Sequence, residues 1–598
     1  MTGSHSDAET GTGDVLNNPS RGRARMELGS RWPIAIGTVM VMATLWWSFV
    51  QAPLMSDDVI FQSRARSNGR SILGAMGAEV RDFLTSGRMN IFNPVQGGLL
   101  FQLKLPTAVY RGFQFAVLCI GVVLLWAVVK QLTGRSDSAS VASLAAVLVL
   151  ELRRYHDAIL DFHALMGSAL ALFLAALLVA LRNTQYRTRG LIISGGLLAA
   201  SLLYNEIGYS LIPIWLLLTF LVVPKVHRLR FSISWLVPTL MLACVTVFVR
   251  STSTKLYPGY KPSISPIRVL KTFIFQLSAT LPYSYRFVAQ RFNIPVKVHY
   301  ARPTFSILVF LGLLGAGLAA YGIIRQSQLL QTKAPGGSAR ERDRRPALLL
   351  AGISLTMMVL PALMISTSTK YQAEVLPGMG YIPVLFQHFG LAFGAAALYE
   401  IIRQFLPSKR FLSVLFVALV AVAGGLTTDS WAQTVRSLKP TATARSLLES
   451  SIRSGLWRDV APGSKVQLYY LGWSTAPNDI TRFGGPRVVT LPGLGENCPC
   501  RDAEVDVVAV ASRSGEGALL IADTPNQRST LLVRGPRLIA DLKSGRRVVR
   551  FGSHGSTVEP IAVSKSSPKD FVFSVVPDRG SSDSQMTIVG LETLSYYT

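Results

Sequence analysis

Acidic side chains are scarce in this sequence, 33 against 60 lysines and arginines, and the formal net charge is +27. Gathered on one face, such an excess would suit a nucleic-acid partner. Here much of it is spread through short segments between apolar runs, which excludes that reading. Cysteine is scarcer still, four in 598 residues, too few for a disulfide scaffold. Cys119 and Cys244 fall inside apolar runs, where they read as packing residues. Cys498 and Cys500 stand in "ENCPCRD", where a single intervening residue would strain a disulfide, so a labile bridge, free thiols or an intermolecular bond stay open. No second Cys or His pair accompanies them to make a zinc site.

What the sequence has in plenty is apolar length. It is 49% hydrophobic, and its runs reach the roughly 17 to 25 residues that cross a bilayer as helix. Spans are expected near 32–52, 107–129, 139–151, 163–181, 190–204, 209–223, 234–250, 304–324, 346–366, 380–402 and 411–427. The third and fifth are short, so a merged or re-entrant pair fits them as well. The first run, "RWPIAIGTVMVMATLWWSFVQ", has no small-residue cleavage site and reads as a retained anchor. The fold class expected is therefore a polytopic α-helical membrane protein of about eleven transmembrane helices.

Lys and Arg vote on orientation, since basic loops are retained in the cytoplasm. Segments 130–138, 182–189, 224–233, 325–345 and 403–410 hold seventeen of them, whereas 151–162, 205–208 and 367–379 hold only Arg153, Arg154 and Lys370. The first set is expected on the cytoplasmic side together with the polar tail 1–31, which reads as disordered. The transmembrane domain is then 32–427, with outer loops at 53–106 and 251–303. Segment 428–598 is expected outside as a soluble, mostly β domain, a helix followed by a sandwich-like set of strands such as "KVQLYYLGW" and "DFVFSVV". An Ala- and Arg-rich chain without eukaryotic sorting signals points to a bacterial cytoplasmic membrane.

The 251–303 loop breaks the charge rule. It carries Lys255, Lys261, Arg268, Lys271, Arg286, Arg291, Lys297 and Arg302 and no acid. Lipid headgroups or a phosphorylated ligand would explain that bias. Tyr257, Tyr260, Tyr283, Tyr285 and Tyr300 are interleaved, suited to an interface or to stacking on sugar rings. "STSTK" occurs at Ser251–Lys255 and again at Ser366–Lys370, each placing a lysine where a span emerges.

Carboxylates gather at the same level. Asp57 and Asp58 follow the first span in "PLMSDDVIFQ", and two like charges side by side raise one pKa, which suits a base. Capping the next helix or pairing with Arg64 and Arg66 is the plainer role. Ile72, Met76, Val80 and Phe83 then recur at helical spacing, so a short amphipathic helix is expected along the outer surface. Arg88 follows as a bidentate donor for a phosphate or carboxylate. "ELRRYHDAILDFH" adds His156, Asp157 and His163, a trio that could also hold a divalent metal. Glu206 sits in a short turn, and Lys370 and Glu374 follow span nine. Ionisable groups at membrane depth are costly and default to a functional reading.

In this layout the chain resembles the GT-C superfamily of membrane glycosyltransferases. The likeness rests on the "DD" after the first span, a large first outer loop with a surface helix, a second acidic site between spans three and four, and a soluble domain after the last span. It covers roughly the first 430 residues in architecture. The resemblance implies a polyprenyl-phosphate sugar as donor and inverting transfer to a glycan, lipid or protein acceptor. It further implies Asp57 or Asp58 as base, Asp157 as second acidic site, and Arg88, Lys255, Lys261 and Lys370 on the phosphate side, with His156 and Glu206 beside the substrate. Some members use a divalent metal and others none. A transporter or lipid flippase, or a noncatalytic envelope assembly protein, are the alternatives: the first would need broken helices with midplane polar groups, the second an Asp pair tied to Arg or exposed.

Overall fold

The computed structural model describes residues 19–54, 58, 61, 72–103, 105–154, 157–292, 306–332, 345–403 and 410–453, and beyond these only short strands. Asp57, His156 and Tyr300 lie outside the described residues. Among those described, eight helices are long and apolar enough to cross a membrane, and three shorter apolar helices accompany them. Together they match the eleven runs read from sequence, and the chain is a multi-pass helical membrane protein.

In chain order the main helices are α1 (Pro19–Gln51), α2 (Ile72–Thr85), α3 (Phe92–Gln102), α4 (Thr107–Thr133), α5 (Ser136–Leu148), α6 (Leu165–Arg182) and α7 (Thr188–Tyr204). They continue as α8 (Ile212–Leu221), α9 (Arg228–Thr252), α10 (Pro266–Ser278), α11 (Ile307–Thr332), α12 (Arg345–Ser366), α13 (Val384–Ile402) and α14 (Arg410–Arg453). The short apolar runs gave α5, α7 and the pair of a 3-10 turn with α8. α13 is the most enclosed span, with Phe386, Phe389 and Phe393 packed into the core beside Leu125 and Phe173.

Three outcomes differ from the sequence reading. The last span does not end near 427: α14 runs on to Arg453, so the expected domain boundary at 428 falls inside one helix. Most of 454–598 lies outside the described residues. Lys465–Tyr470 pairs in parallel with Arg487–Leu491 and Met586–Ile588, while Arg547–Gly552 pairs antiparallel with its neighbours. Sandwiches are built from antiparallel pairs, so the parallel ones depart from the expected form. Cys244 is exposed on α9 instead of packed, because that helix turns much of its surface outward.

Apolar burial gives little drive between helices in lipid, so close backbone packing must supply it. α1, α11 and α14 meet along such a seam. A Cβ on Gly37 would strike the Gly315 carbonyl, and one on Gly424 would strike Ala316 and the Gly312 carbonyl. Thr44 and Thr428 face each other across it at 3.3 Å. Gly424→Ala is therefore expected to lower the melting temperature in detergent despite gaining about 1 kcal/mol of helix propensity, since overpacking costs about 1–3 kcal/mol. Gly196→Ala is the control, because a Cβ there meets nothing within 4 Å and the change should be neutral or stabilising. Equal melting of the two variants would refute the seam.

The loops expected at one end of the bundle do pack together. Ser253 Oγ donates to the Thr85 carbonyl at 2.7 Å and Tyr257 N to that of Ser86 at 2.9 Å, joining the first loop to the 253–292 loop. Ser263 N donates to Thr367 at 2.7 Å, and Pro262 and Ser368 form a β-bridge. Arg153 reaches from the 149–164 loop to the carbonyls of Met379 and of Ala279, the latter at 2.9 Å.

Candidate functional site

Asp58 is buried where α1 hands over to the first loop. Its Oδ1 accepts the main-chain N–H of His163 at 2.6 Å, and its Oδ2 accepts Gln114 Nε2 at 3.1 Å. Arg111 lies 3.8 Å away, fully enclosed one turn inside α4. That guanidinium also donates to the carbonyls of Leu160 at 2.7 Å, Ala52 at 3.0 Å and Pro53, and to Gln114 Oε1. One side chain thus ties the end of α1, the start of α4 and the 149–164 loop around a single carboxylate.

The loop meets Asp58 through an unusual backbone. His163 and Ala164 have φ of 37° and 66°, left-handed values that cost non-glycine residues and persist only when the surroundings enforce them. His163 Nε2 lies 3.2 Å from the Asn93 carbonyl, a bond it can make only as donor, which leaves Nδ1 3.5 Å from Asp58. Gln96 on α3 donates to the His163 carbonyl at 2.6 Å and accepts from Tyr204 Oη at 2.7 Å. Gly97 makes the approach possible, since a Cβ there would lie 3.0 Å from Phe61 and 3.2 Å from His163.

Two residues after Tyr204 the second half of the site begins. Glu206 is ion-paired with Arg250 and accepts the Tyr260 hydroxyl at 3.0 Å. Burial, with Glu206 beside it, raises the Tyr260 pKa, so the hydroxyl stays a donor. Arg250 stacks 3.8 Å above Tyr260, and Arg88 stacks 3.5 Å above Tyr257. Lys370 donates to the Tyr257 hydroxyl and, at 3.4 Å, to that of Tyr381, with Glu374 3.8 Å away. Arg88 makes no ion pair among the described residues. Its stacking fixes the guanidinium plane and leaves the N–H fork available to an anion.

The structure therefore brings Arg88, Glu206 and Lys370 together around Tyr257 and Tyr260, and connects them to Asp58 through α3 and Tyr204. Lys255 and Lys261 are exposed and make no ion pair or ring contact among the described residues. Asp157 is engaged by main chain: its carboxylate accepts the N–H of Ile159 and of Leu160, each at 2.7 Å, and of Arg153. A carboxylate so occupied shapes the loop that presents His163. Asp161 accepts the Asp157 N–H at 2.7 Å, and burial, reinforced by Asp157, pushes its pKa well above the usual range. Among the described residues no group of three or more His, Cys, Asp or Glu is placed to hold a metal ion.

Sequence reasoning missed Arg111, Gln114 and Gln96. The signal was present for the first two, an Arg and a Gln three residues apart inside an apolar run, where polar side chains need partners.

Glu151, past the end of α5, is a further buried acid. Burial pushes it up to about 7, against the pull of Arg153 and of hydrogen bonds from Ser284 Oγ and Tyr285 N. Between the ordinary carboxylate value of 4.5 and about 7 the folded protein keeps a proton that the unfolded chain has released. Stability should fall as pH rises through that window. Glu151→Gln, which cannot titrate, is expected to flatten the fall in melting temperature between pH 4.5 and about 7. An identical slope in both proteins would contradict it.

No family model matches the chain, and no curated protein matches it. Among solved structures it is similar to the crystal structure of ArnT from Cupriavidus metallidurans bound to undecaprenyl phosphate, with 12% identity and a TM-score of 0.36, over 76% of this chain and 85% of that one. The likeness is loose, and the chemistry of this chain rests on the residues described above.

Proposed function

We propose that this chain is a GT-C-type glycosyltransferase that moves a sugar, with inversion, from a polyprenyl-phosphate donor to an envelope acceptor on the outer face of the membrane. The observation that supports it is the pairing, on one loop face, of a rigidly held carboxylate end and a stacked, anion-ready cation end. Group transfer needs both. An acceptor hydroxyl loses its proton to a carboxylate as its oxygen bonds to the anomeric carbon, while the bond to the lipid phosphate breaks and that phosphate leaves with added negative charge.

In this reading Asp57 is the base, and Asp58 positions it from the next residue. Arg88 and Lys370 receive the leaving phosphate, and Glu206 keeps Tyr260 and Arg250 in place beside them. Asp157 holds the loop that carries His163. Lys255 and Lys261 meet the donor's headgroup from the rim. The acceptor is a glycan, a lipid or a protein, and the part of the chain beyond the span in α14 is the outer part that would meet it. The basic short loops support a reading in which the opposite face is cytoplasmic.

One observation favours a second reading. Asp58 is paired to Arg111 and its oxygens are engaged, as a noncatalytic envelope assembly protein would have it. Proteoliposomes offered a panel of radiolabelled polyprenyl-phosphate sugars separate the two. Consumption of one donor with label appearing in an acceptor is the result expected of the enzyme. Release of no label from any donor would sink the transferase and leave the scaffold.

A further inference from the structure

Two charges of the basic loop are unused by the site: Arg268 and Lys271 are exposed and make no ion pair among the described residues. α10 carries both. Its amphipathicity is inverted, with Thr272 and Gln276 buried against the protein and Ile267, Leu270 and Ile274 exposed by 80%, 58% and 51%. Gln276 is satisfied inside, donating to Gln387 Oε1 at 2.8 Å and accepting the Tyr381 N–H at 2.8 Å. A water-facing helix would present the opposite pattern.

Ile267, Leu270 and Ile274 share one side of the helix, at spacings of three and four. Lys271 flanks that side, Arg268 lies further round the helix, both are exposed, and Ile264 precedes it, 84% exposed. Lys271 lies over the Phe275 ring at 5.4 Å. The helix is also fixed in level. The segment just before it is bridged to Ser368, and Gln372 Nε2 donates to the Ser263 carbonyl at 3.0 Å and to the Ser366 carbonyl at 2.8 Å, so α10 is tied to the end of the spanning helix α12.

We propose that α10 is an interfacial helix docked into the bilayer, its Ile267–Leu270–Ile274 face among the upper acyl chains and its Lys271 and Arg268 on anionic lipid headgroups. The occupant is the lipid surface itself. Charge complementarity argues for it, since the 251–303 loop has eight basic residues and no acid to repel a headgroup. Geometry argues for it as well, because a helix anchored at a span's end with an apolar outer face lies where the bilayer begins. Apolar burial holds such a helix and the charges select the lipid. By this assignment α10 is a lipid-sensing prop beneath Tyr381, whose hydroxyl Lys370 contacts.

Spin labels on Ile267→Cys and Ile274→Cys, in the full chain with its native cysteines replaced by serine, test this in liposomes. Both labels should be accessible to oxygen and shielded from a water-soluble nickel reagent, at a depth of about 5–10 Å below the phosphates. Labels open to nickel would place the helix in water, and labels closed to both reagents would place another protein surface on it. Either result overturns the proposal. The charge arm compares vesicles of zwitterionic lipid with vesicles containing a third anionic lipid. The Ile274 label should sit deeper in the anionic ones, and Arg268→Gln with Lys271→Gln should abolish the difference. No difference in the parent protein would overturn the headgroup assignment.

Discussion

Asp57→Asn is expected to lower sugar transfer by about 10²–10⁴-fold while leaving the melting temperature unchanged, the loss typical of removing a general base. Asp58→Asn should behave differently. Its amide would turn a donor toward Gln114 Nε2 or the His163 N–H, each of which donates to the carboxylate now. A buried polar group left without an acceptor costs about 1–3 kcal/mol. Asp58→Asn should therefore melt lower, and its activity should fall along with its folded fraction. Two adjacent acids are thus separated by which quantity moves first. Full turnover in Asp57→Asn would end its assignment as base. An Asp58→Asn protein that melts like wild type but transfers nothing would exchange the two roles.

Arg111→Ala is expected to be the most damaging single change to folding, about 3–5 kcal/mol, because it strands a buried carboxylate. It also frees three main-chain carbonyls, those of Ala52, Pro53 and Leu160. The melting temperature and the monodisperse fraction in detergent should both drop. Arg111→Lys keeps a charge but loses the fork that serves several acceptors, so it should fall between the two. Asp58→Ala in the Arg111→Ala background should cost less than the sum of the single changes, the mark of a coupled pair. An Arg111→Ala protein that melts like wild type would contradict the network.

The spans were legible because crossing a bilayer demands apolar length: eight of the eleven runs form helices long enough to cross, and three form shorter apolar helices. The grouping of the outer loops was legible too, since alternation of the runs puts 53–106, 251–303 and 367–379 at one end of the bundle, and those loops are hydrogen-bonded to one another. The site was legible only in part. Glu206 and Lys370 stood out as charges at span ends and Arg88 as a charge after the surface helix, but nothing local joins Glu206 to Arg250, forty-four positions on. Arg111 was hidden because one arginine in a long apolar helix does not disrupt its hydropathy. Asp157 drew attention as a second acid, yet its main-chain bonds depend on loop geometry that no pattern encodes. Asp429 pairs with Arg286 at 2.7 Å. It was overlooked because the last span was ended at 427, ahead of polar residues that the helix in fact carries inward.

The glycine seam also sets a timetable. Gly37 on the first span needs Gly315, which emerges from the ribosome about 280 residues later, roughly 14 to 56 seconds at 5–20 residues per second. Gly424 follows later still. For that interval α1 stands in lipid with its glycine face uncovered, held by the Arg111 contacts at its far end and by Trp46 and Phe49 against the Phe115 ring of α4. The earliest-made helix is therefore among the last to complete its packing, and the period of greatest exposure to misassembly falls during synthesis instead of after it.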